Sequence, residues 1–304
     1  MNVKKINELR LTVVGSERTF DVQGELALHP EVSSMYVRKG YQDRPKTKEE
    51  AQDVGVKAFN GLQTSFSTIY IQNGIVWATI APTRYLIGQA MRDLWKTDRY
   101  SAEDAWKMSP HMAGVSLIVP VKIGGEYFLL SQIKGAALGS GQIHAGVVAG
   151  GISKKSLDNE NPLIYTLVNE CSEELGIDLG YLNPSSFAFF VDESPTGQVN
   201  FAAVAKKADF NDILSTWEKA TTKSLVADTD PEVMGLSALP VEGVAIIPLE
   251  KGVNGVEQVE CFFPTQHGLE KARETRGLRP YTEYVLEFLG EKENLDHLMQ
   301  KAGI

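Results

Sequence analysis

Mixed α+β is the fold class that this chain predicts: a mixed sheet flanked by helices, preceded by a smaller α+β module. Three observations carry that expectation. Segments that alternate apolar and polar residues recur along the chain as strands, and amphipathic stretches with helical spacing are interleaved with them. At "WKMSPHMAG", Trp106 to Gly114, the periodicity breaks at Ser109-Pro110 and a new strand pattern starts at once. That break divides the chain into an N-terminal module of residues 1–110 and a larger one of residues 111–304.

The elements follow in order. Residues 36–58, "YVRKGYQDRPKTKEEAQDVGVKA", are rich in charge and punctuated by Pro45, which reads as a surface loop followed by a short helix. "TSFSTIYIQNGIVWATIAP" alternates around Asn73-Gly74, the strongest short hairpin signal, so two paired strands are expected there. "PTRYLIGQAMRDLWKT" then sets Leu86, Ile87, Ala90, Met91 and Leu94 at helical spacing, with Thr83 as the expected N-cap. Beyond the break, "GVSLIVPVKIGGEYFLLSQIK" reads as strand, Gly124-Gly125 turn, strand, and "GAALGSGQIHAGVVAGG" as a glycine-rich loop. "FAFFVDE" and "QVNFAAVAKK" read as strands and "DFNDILSTWEKA" as an amphipathic helix. "VEGVAIIPL" is a further apolar segment, and "PYTEYVLEFLGE" a terminal helix.

Between the loop and "FAFFVDE" lies the stretch richest in chemistry, "VNECSEELGI", Val168 to Ile177. Asn161-Pro162 is a good helix start and Gly176 a good stop, so the helix is expected over about residues 162–175. At about 100° per residue, Leu163, Ile164, Leu167, Val168, Cys171 and Leu175 form a buried stripe. Glu170, Glu173 and Glu174 share one sector at its edge. Like charges at these spacings repel, and the neighbouring apolar stripe adds a desolvation cost. A solvated acidic face is one reading. A site for a hard cation such as Mg²⁺, which favours carboxylates, water and phosphate oxygens, is the other.

Composition narrows the partners. The formal charge is −9, from 39 acidic and 30 basic residues, which argues against a broad grip on nucleic-acid phosphates. The two cysteines, Cys171 and Cys261, stand in apolar sequence without CxxC spacing, so buried thiols in a reducing cytoplasm are expected. "MNVKKINELRLTVVGSERTF" has no continuous apolar run of the kind a secretory signal needs, and nowhere do roughly 18 apolar residues follow one another as a membrane-spanning helix requires. The chain reads as cytoplasmic, without a membrane partner.

"ECSEELGI" resembles the second half of the Nudix hydrolase signature, in which Arg-Glu is followed by an apolar residue, any residue, Glu-Glu, any residue, Gly and an apolar residue. "AGG", Ala149 to Gly151, resembles the glycine pair that opens the signature, and two strands before it and one after the helix keep the family's order over about residues 113–290. Asn169 stands where the arginine is expected, and the loop from Gly151 is four residues longer. The first signature glutamate falls at Asn161, one position after Glu160. "FNGLQTSF" and "APTRY" add a fainter likeness to a Nudix branch with an extra N-terminal domain, some members of which cleave UDP-sugars.

The resemblance implies an α/β/α sandwich and a metal-dependent pyrophosphohydrolase acting on a nucleoside diphosphate linked to another moiety, with a nucleotide sugar as the first expectation. It implies that Glu170, Glu173 and Glu174 hold Mg²⁺ or Mn²⁺, and that Gly150 and Gly151 let phosphates approach the backbone. For a general base it points to Glu232 in "DTDPEVMGL", with Asp192 and Glu193 as second candidates. Lys134, His144 and Arg84 are the candidates for substrate contact. The alternative is a degenerate Nudix module that binds a nucleotide or a partner without hydrolysis. The first module is otherwise read as an oligomerisation element, which would make the protein a homodimer.

Overall fold

The computed structural model describes residues 3–14, 26–27, 29–55, 59–97, 101, 104, 111–123, 126–134, 142–176, 178–193, 198–205, 233–240, 258–265 and 268–304. For 233–240, 258–265 and 268–277 the description is of the backbone. The described strands join one mixed sheet.

The first part of the chain supplies β1 (Val3–Lys5), β2 (Glu8–Val13), helices α1 (Pro30–Arg38) and α2 (Lys48–Asp53), the hairpin β3 (Leu62–Gln72) and β4 (Ile75–Arg84), and helix α3 (Tyr85–Trp95). The hairpin turns at Asn73 and Gly74, with φ of 53° and 74°. Positive φ at both central residues matches the right-handed twist of the strands. Helix α1 begins six residues before the stretch expected to be loop, because Val32, Met35 and Tyr36 bury one face against Leu86, Ile87, Ala90 and Met91 of α3. Thr83 is not the cap of α3: it is a fully buried residue of β4 paired with Gln63, and Arg84 holds the N-cap position without a capping side-chain bond.

The second part contains β5 (Met112–Ile123), β6 (Glu126–Lys134), β7 (Ile143–His144), β8 (Val148–Gly151), helices α4 (Lys154–Leu157) and α5 (Pro162–Glu170), β9 (Phe187–Glu193) and β10 (Gln198–Val204). Strands β11 (Val233–Pro240), β12 (Gln258–Thr265) and β13 (Gly268–Gly277) and helices α6 (Pro280–Leu289) and α7 (Lys292–Ala302) complete it. The central run of the sheet is β1-β9-β10-β5-β6-β11-β12-β13. Its ladders are antiparallel except that β10 runs parallel to β5, and in the first part β2 runs parallel to β4. The glycine-rich segment expected to be loop contributes β7 and β8, which the sheet recruits: Gly151, Gly150, Ala149 and Val148 pair with Gly114, Val115, Ser116 and Leu117. The segments "DFNDILSTWEKA" and "VEGVAIIPL" lie outside the described residues.

Helices cover both faces. On one, Leu163, Leu167 and Cys171 pack with Val115, Leu117, Val148, Phe190 and Phe201. Ile6, Phe66, Val76 and Ile80 from the first part of the chain join the same cluster, so the apolar core is continuous across residue 111. On the other face, Tyr281, Val285, Leu289, Leu295 and Leu298 pack against Ile118, Phe189, Val191, Ala202 and Val204. Successive residues of β5 and β10 enter opposite clusters, as strand alternation requires. Each buried aliphatic side chain contributes roughly 1.5–3 kcal/mol relative to exposure. Among the described residues no helix is long and apolar enough to cross a membrane.

Candidate functional site

The glutamate helix starts as its sequence dictates. Pro162 occupies the first turn, and the Asn161 side chain accepts a hydrogen bond from Ile164 N at 3.1 Å. Its buried stripe is as expected, with Leu163, Leu167 and Cys171 fully buried and Ile164 and Val168 packed at the margin. The end differs. Regular α geometry stops at Glu170, residues Cys171–Leu175 form a π turn, and Gly176 closes it in the left-handed conformation with φ of 65°. A π turn widens the i→i+4 repeat to i→i+5, so side chains beyond Cys171 rotate less per residue than α geometry assumes.

The three carboxylates do not share one environment. Glu173 is exposed, whereas Glu174 is buried. Glu174 Oε2 accepts a 2.6 Å hydrogen bond from Gln132 Nε2 on β6. The other amide atom, Gln132 Oε1, is buried and meets no hydrogen-bond partner among the described residues. Glu170 lies against β8. A Cβ placed on Gly150 would stand 2.3 Å from Glu170 Oε1 and 2.4 Å from Cδ, so only glycine admits this carboxylate. Gly151 has ordinary room, since its Cβ would meet Gln63 at 3.6 Å. Beside both carboxylates sits Cys171, whose thiol is pushed well above its usual range, first by burial and then by the charges of Glu174 and Glu170.

The donors are hard oxygens of the class that suits Mg²⁺ or Mn²⁺, and the glycine cradle and the orphaned Gln132 amide oxygen fit a cation beside this helix end. Among the described residues, however, no group of three or more His, Cys, Asp or Glu side chains is placed around one point. At the helix end Glu174 is buried, Glu170 is partly exposed and Glu173 faces solvent.

On the opposite face, the ends of β8 and β9 and the starts of β10 and α6 line an open cleft of about 100 Å³. His144, Gly150, Gly151 and Glu193 line it, together with Gln198, Asn200, Arg279 and Tyr281, for which no local sequence signal had been read. Glu193 is buried and accepts a 2.5 Å hydrogen bond from Asn200 Nδ2, and Gln198 Nε2 donates to Asn200 Oδ1 at 3.3 Å. Gly114, the partner of Asn200 across the parallel ladder, leaves the space this amide occupies: a Cβ there would lie 2.1 Å from Asn200 Oδ1. Tyr281 is fully buried, with its hydroxyl bonded to Ser116 Oγ. Burial, and then the Glu193 charge, raise its pKa, and the Ser116 bond opposes that rise.

His144, a candidate for substrate contact expected in a loop, stands on strand β7 and lines the cleft. It is buried on β7, stacked on Tyr281 with ring centroids 4.5 Å apart, and Nδ1 lies 3.1 Å from both the N and the O of Gly146. Arg84 reaches Asn60 O at 3.2 Å, beside the α1–α3 cluster. Lys134 ends β6, its backbone paired with Val233, and its side chain is outside the described set. Asp192 is the half-buried neighbour of Glu193 and alternates to the α5 face. Glu160 is exposed just before the N-cap of α5. Glu232 lies outside the described residues.

No family model matches the chain, and no curated protein matches it. Among solved structures, the chain is similar to a MutT/nudix family protein from Enterococcus faecalis, at 9% identity and a TM-score of 0.32, covering 70% of this chain and 78% of that one.

Proposed function

We propose that the protein is a metal-dependent hydrolase of a phosphoanhydride bond, of the Nudix type that "ECSEELGI" resembles, acting on a nucleoside diphosphate derivative, with a nucleotide sugar as the first substrate to try. The observation that carries this reading is the seat of Glu170 against Gly150, where any side chain on the strand would displace the carboxylate. A signature glutamate and a signature glycine, distant in sequence, thereby meet where α5 packs on β8.

Glu170 and Glu174, with Glu173 from the solvent side, would hold Mg²⁺ or Mn²⁺, whose chemistry when bound is to neutralise phosphate oxygens and acidify a water. The rest falls to the chain. Gly150 and Gly151 leave the β8 backbone bare, so a diphosphate can lie close to it. Gln132 holds one oxygen of Glu174 and fixes its orientation. Glu232, the first candidate from the sequence, would accept the proton of the attacking water. Incubation with Mg²⁺ and a panel of nucleotide sugars, dinucleotides and nucleoside triphosphates should release two phosphorylated products from at least one member, and Glu174→Gln should abolish that release. Absence of turnover across the panel overturns the reading.

A second reading, a module that binds a nucleotide without cleaving it, is favoured by the exposure of Glu173 and by Asn169 in place of the signature arginine. Calorimetry that finds tight binding, with the nucleotide recovered intact in Mg²⁺, would select it.

A further inference from the structure

The cleft on the α6 face has a chemistry of its own, apart from the glutamate helix. At its floor is a carboxylate, Glu193, 8% exposed and held by the Asn200 amide. At its rim is a guanidinium, Arg279, at the N-cap of α6 and partly exposed. The Arg279 side chain forms no ion pair among the described residues. An acceptor and a cation at different depths of one cleft match a ligand that carries a hydrogen-bond donor at one end and an anion at the other.

Two features indicate that this arrangement is built for something other than packing. Glu193 is a carboxylate held on the cleft floor by the Asn200 amide, at a desolvation cost of several kcal/mol. An arginine whose planar fork suits phosphate oxygens stands beside the bare β8 backbone at Gly151. Gly114 also yields its side-chain space so that Asn200 can reach Glu193.

We infer that this cleft selects the substrate: Arg279 takes a phosphate oxygen, while Glu193, oriented by Asn200, accepts from an N–H or O–H donor on the ring system of the same molecule. The phosphate class rests on the hydrolase reading above; the donor-and-anion pattern does not. The ring donor is either a base N–H or a sugar hydroxyl. Neither residue touches reacting atoms; both are specificity residues.

The test is equilibrium binding to the full chain in EDTA, which separates binding from turnover, with UDP-glucose, ADP-ribose, ribose 5-phosphate, inorganic pyrophosphate and uridine as probes. Arg279→Gln should weaken every phosphate-bearing probe at least about tenfold, the scale of one lost charge-assisted bond, and leave uridine unchanged. Glu193→Gln should weaken the probes with ring donors and spare pyrophosphate. If ribose 5-phosphate responds, the donor is a sugar hydroxyl; if only the two nucleotides respond, it is on the base. Gln198→Ala, at a partly exposed position, should shift the same probe ratios in the same direction should Glu193→Gln not fold.

Equal affinities in the wild type and in Arg279→Gln overturn the inference, as does a Glu193→Gln effect of the same size on pyrophosphate as on the nucleotides. In Mg²⁺, turnover with an unchanged KM in both variants would remove the cleft and leave the hydrolase standing. Binding that follows the predicted pattern without any turnover would do the reverse.

Discussion

On the α5 face of the sheet, Glu170 and Glu174 flank a buried thiol at the end of an apolar helix; on the α6 face, Glu193 ends a strand among amides, a histidine and a tyrosine. Both faces bury acidic side chains within one layer of the same sheet, and they hold them differently. Glu170 is held by shape, through the missing Cβ of Gly150, and Glu174 by the Gln132 amide. Glu193 is held by a chain of hydrogen bonds running from Gln198 through Asn200. A carboxylate positioned by packing can move when its seat is filled, whereas one positioned by a network loses free energy with each partner removed. The two regions are therefore expected to respond differently to small changes.

The largest effect lies in the core beneath α5. Leu167 is fully buried in the cluster that carries the helix, and Leu167→Ala should cost about 3 kcal/mol, read from the urea midpoint at unchanged slope. A loss below about 1 kcal/mol would mean that α5 is not anchored by this face. Next comes Gly114→Ala, whose Cβ would displace the Asn200 amide and strip Glu193 of its donor. About 2 kcal/mol of stability should be lost, and Asn200→Ala added to it should cost little more, since both break the same bond.

Gly150→Ala sets the sharpest contrast. The atoms it meets belong to the flexible end of Glu170, so the fold should lose less than about 1 kcal/mol, while Mg²⁺-dependent turnover falls at least about tenfold. A large stability loss with full activity would show that Glu170 is packing and not part of the site. The smallest effect concerns pH. The Cys171 pKa is raised in the folded state above its unfolded value of about 8.5, so the neutral thiol's contribution is complete below that pH and is lost as pH rises further. The stability of the wild type should therefore fall more steeply than that of Cys171→Ala between about pH 8.5 and 10.5, and identical slopes would refute the assignment.

Much of this arrangement was legible in local signals. Asn73-Gly74 named its hairpin, Asn161-Pro162 its helix start and Gly176 its stop, because each depends on backbone preferences of two or three residues. The buried stripe of α5 followed from spacing alone. The π turn did not, because a one-residue slip in hydrogen bonding has no residue signature. Strands β7 and β8 were hidden in a glycine-rich segment, since four or fewer residues become a strand only when a neighbour pairs with them. Thr83 had the chemistry of a cap but was taken into β4 by its ladder with Gln63.

By itself the sequence determined the α+β class, the Asn73-Gly74 hairpin, and the acidic helix behind a glycine pair, all written in periodicity and in turn and cap chemistry at short range. Only the tertiary structure decided which glutamates are buried, that Gly150 seats Glu170, and that Gln198, Asn200, Arg279 and Tyr281 share a cleft with His144 and Glu193. The physical reason is range. A side chain's own residue sets its charge and reach, but its partner is chosen by sheet pairings such as Asn200 with Gly114, which join positions far apart along the chain.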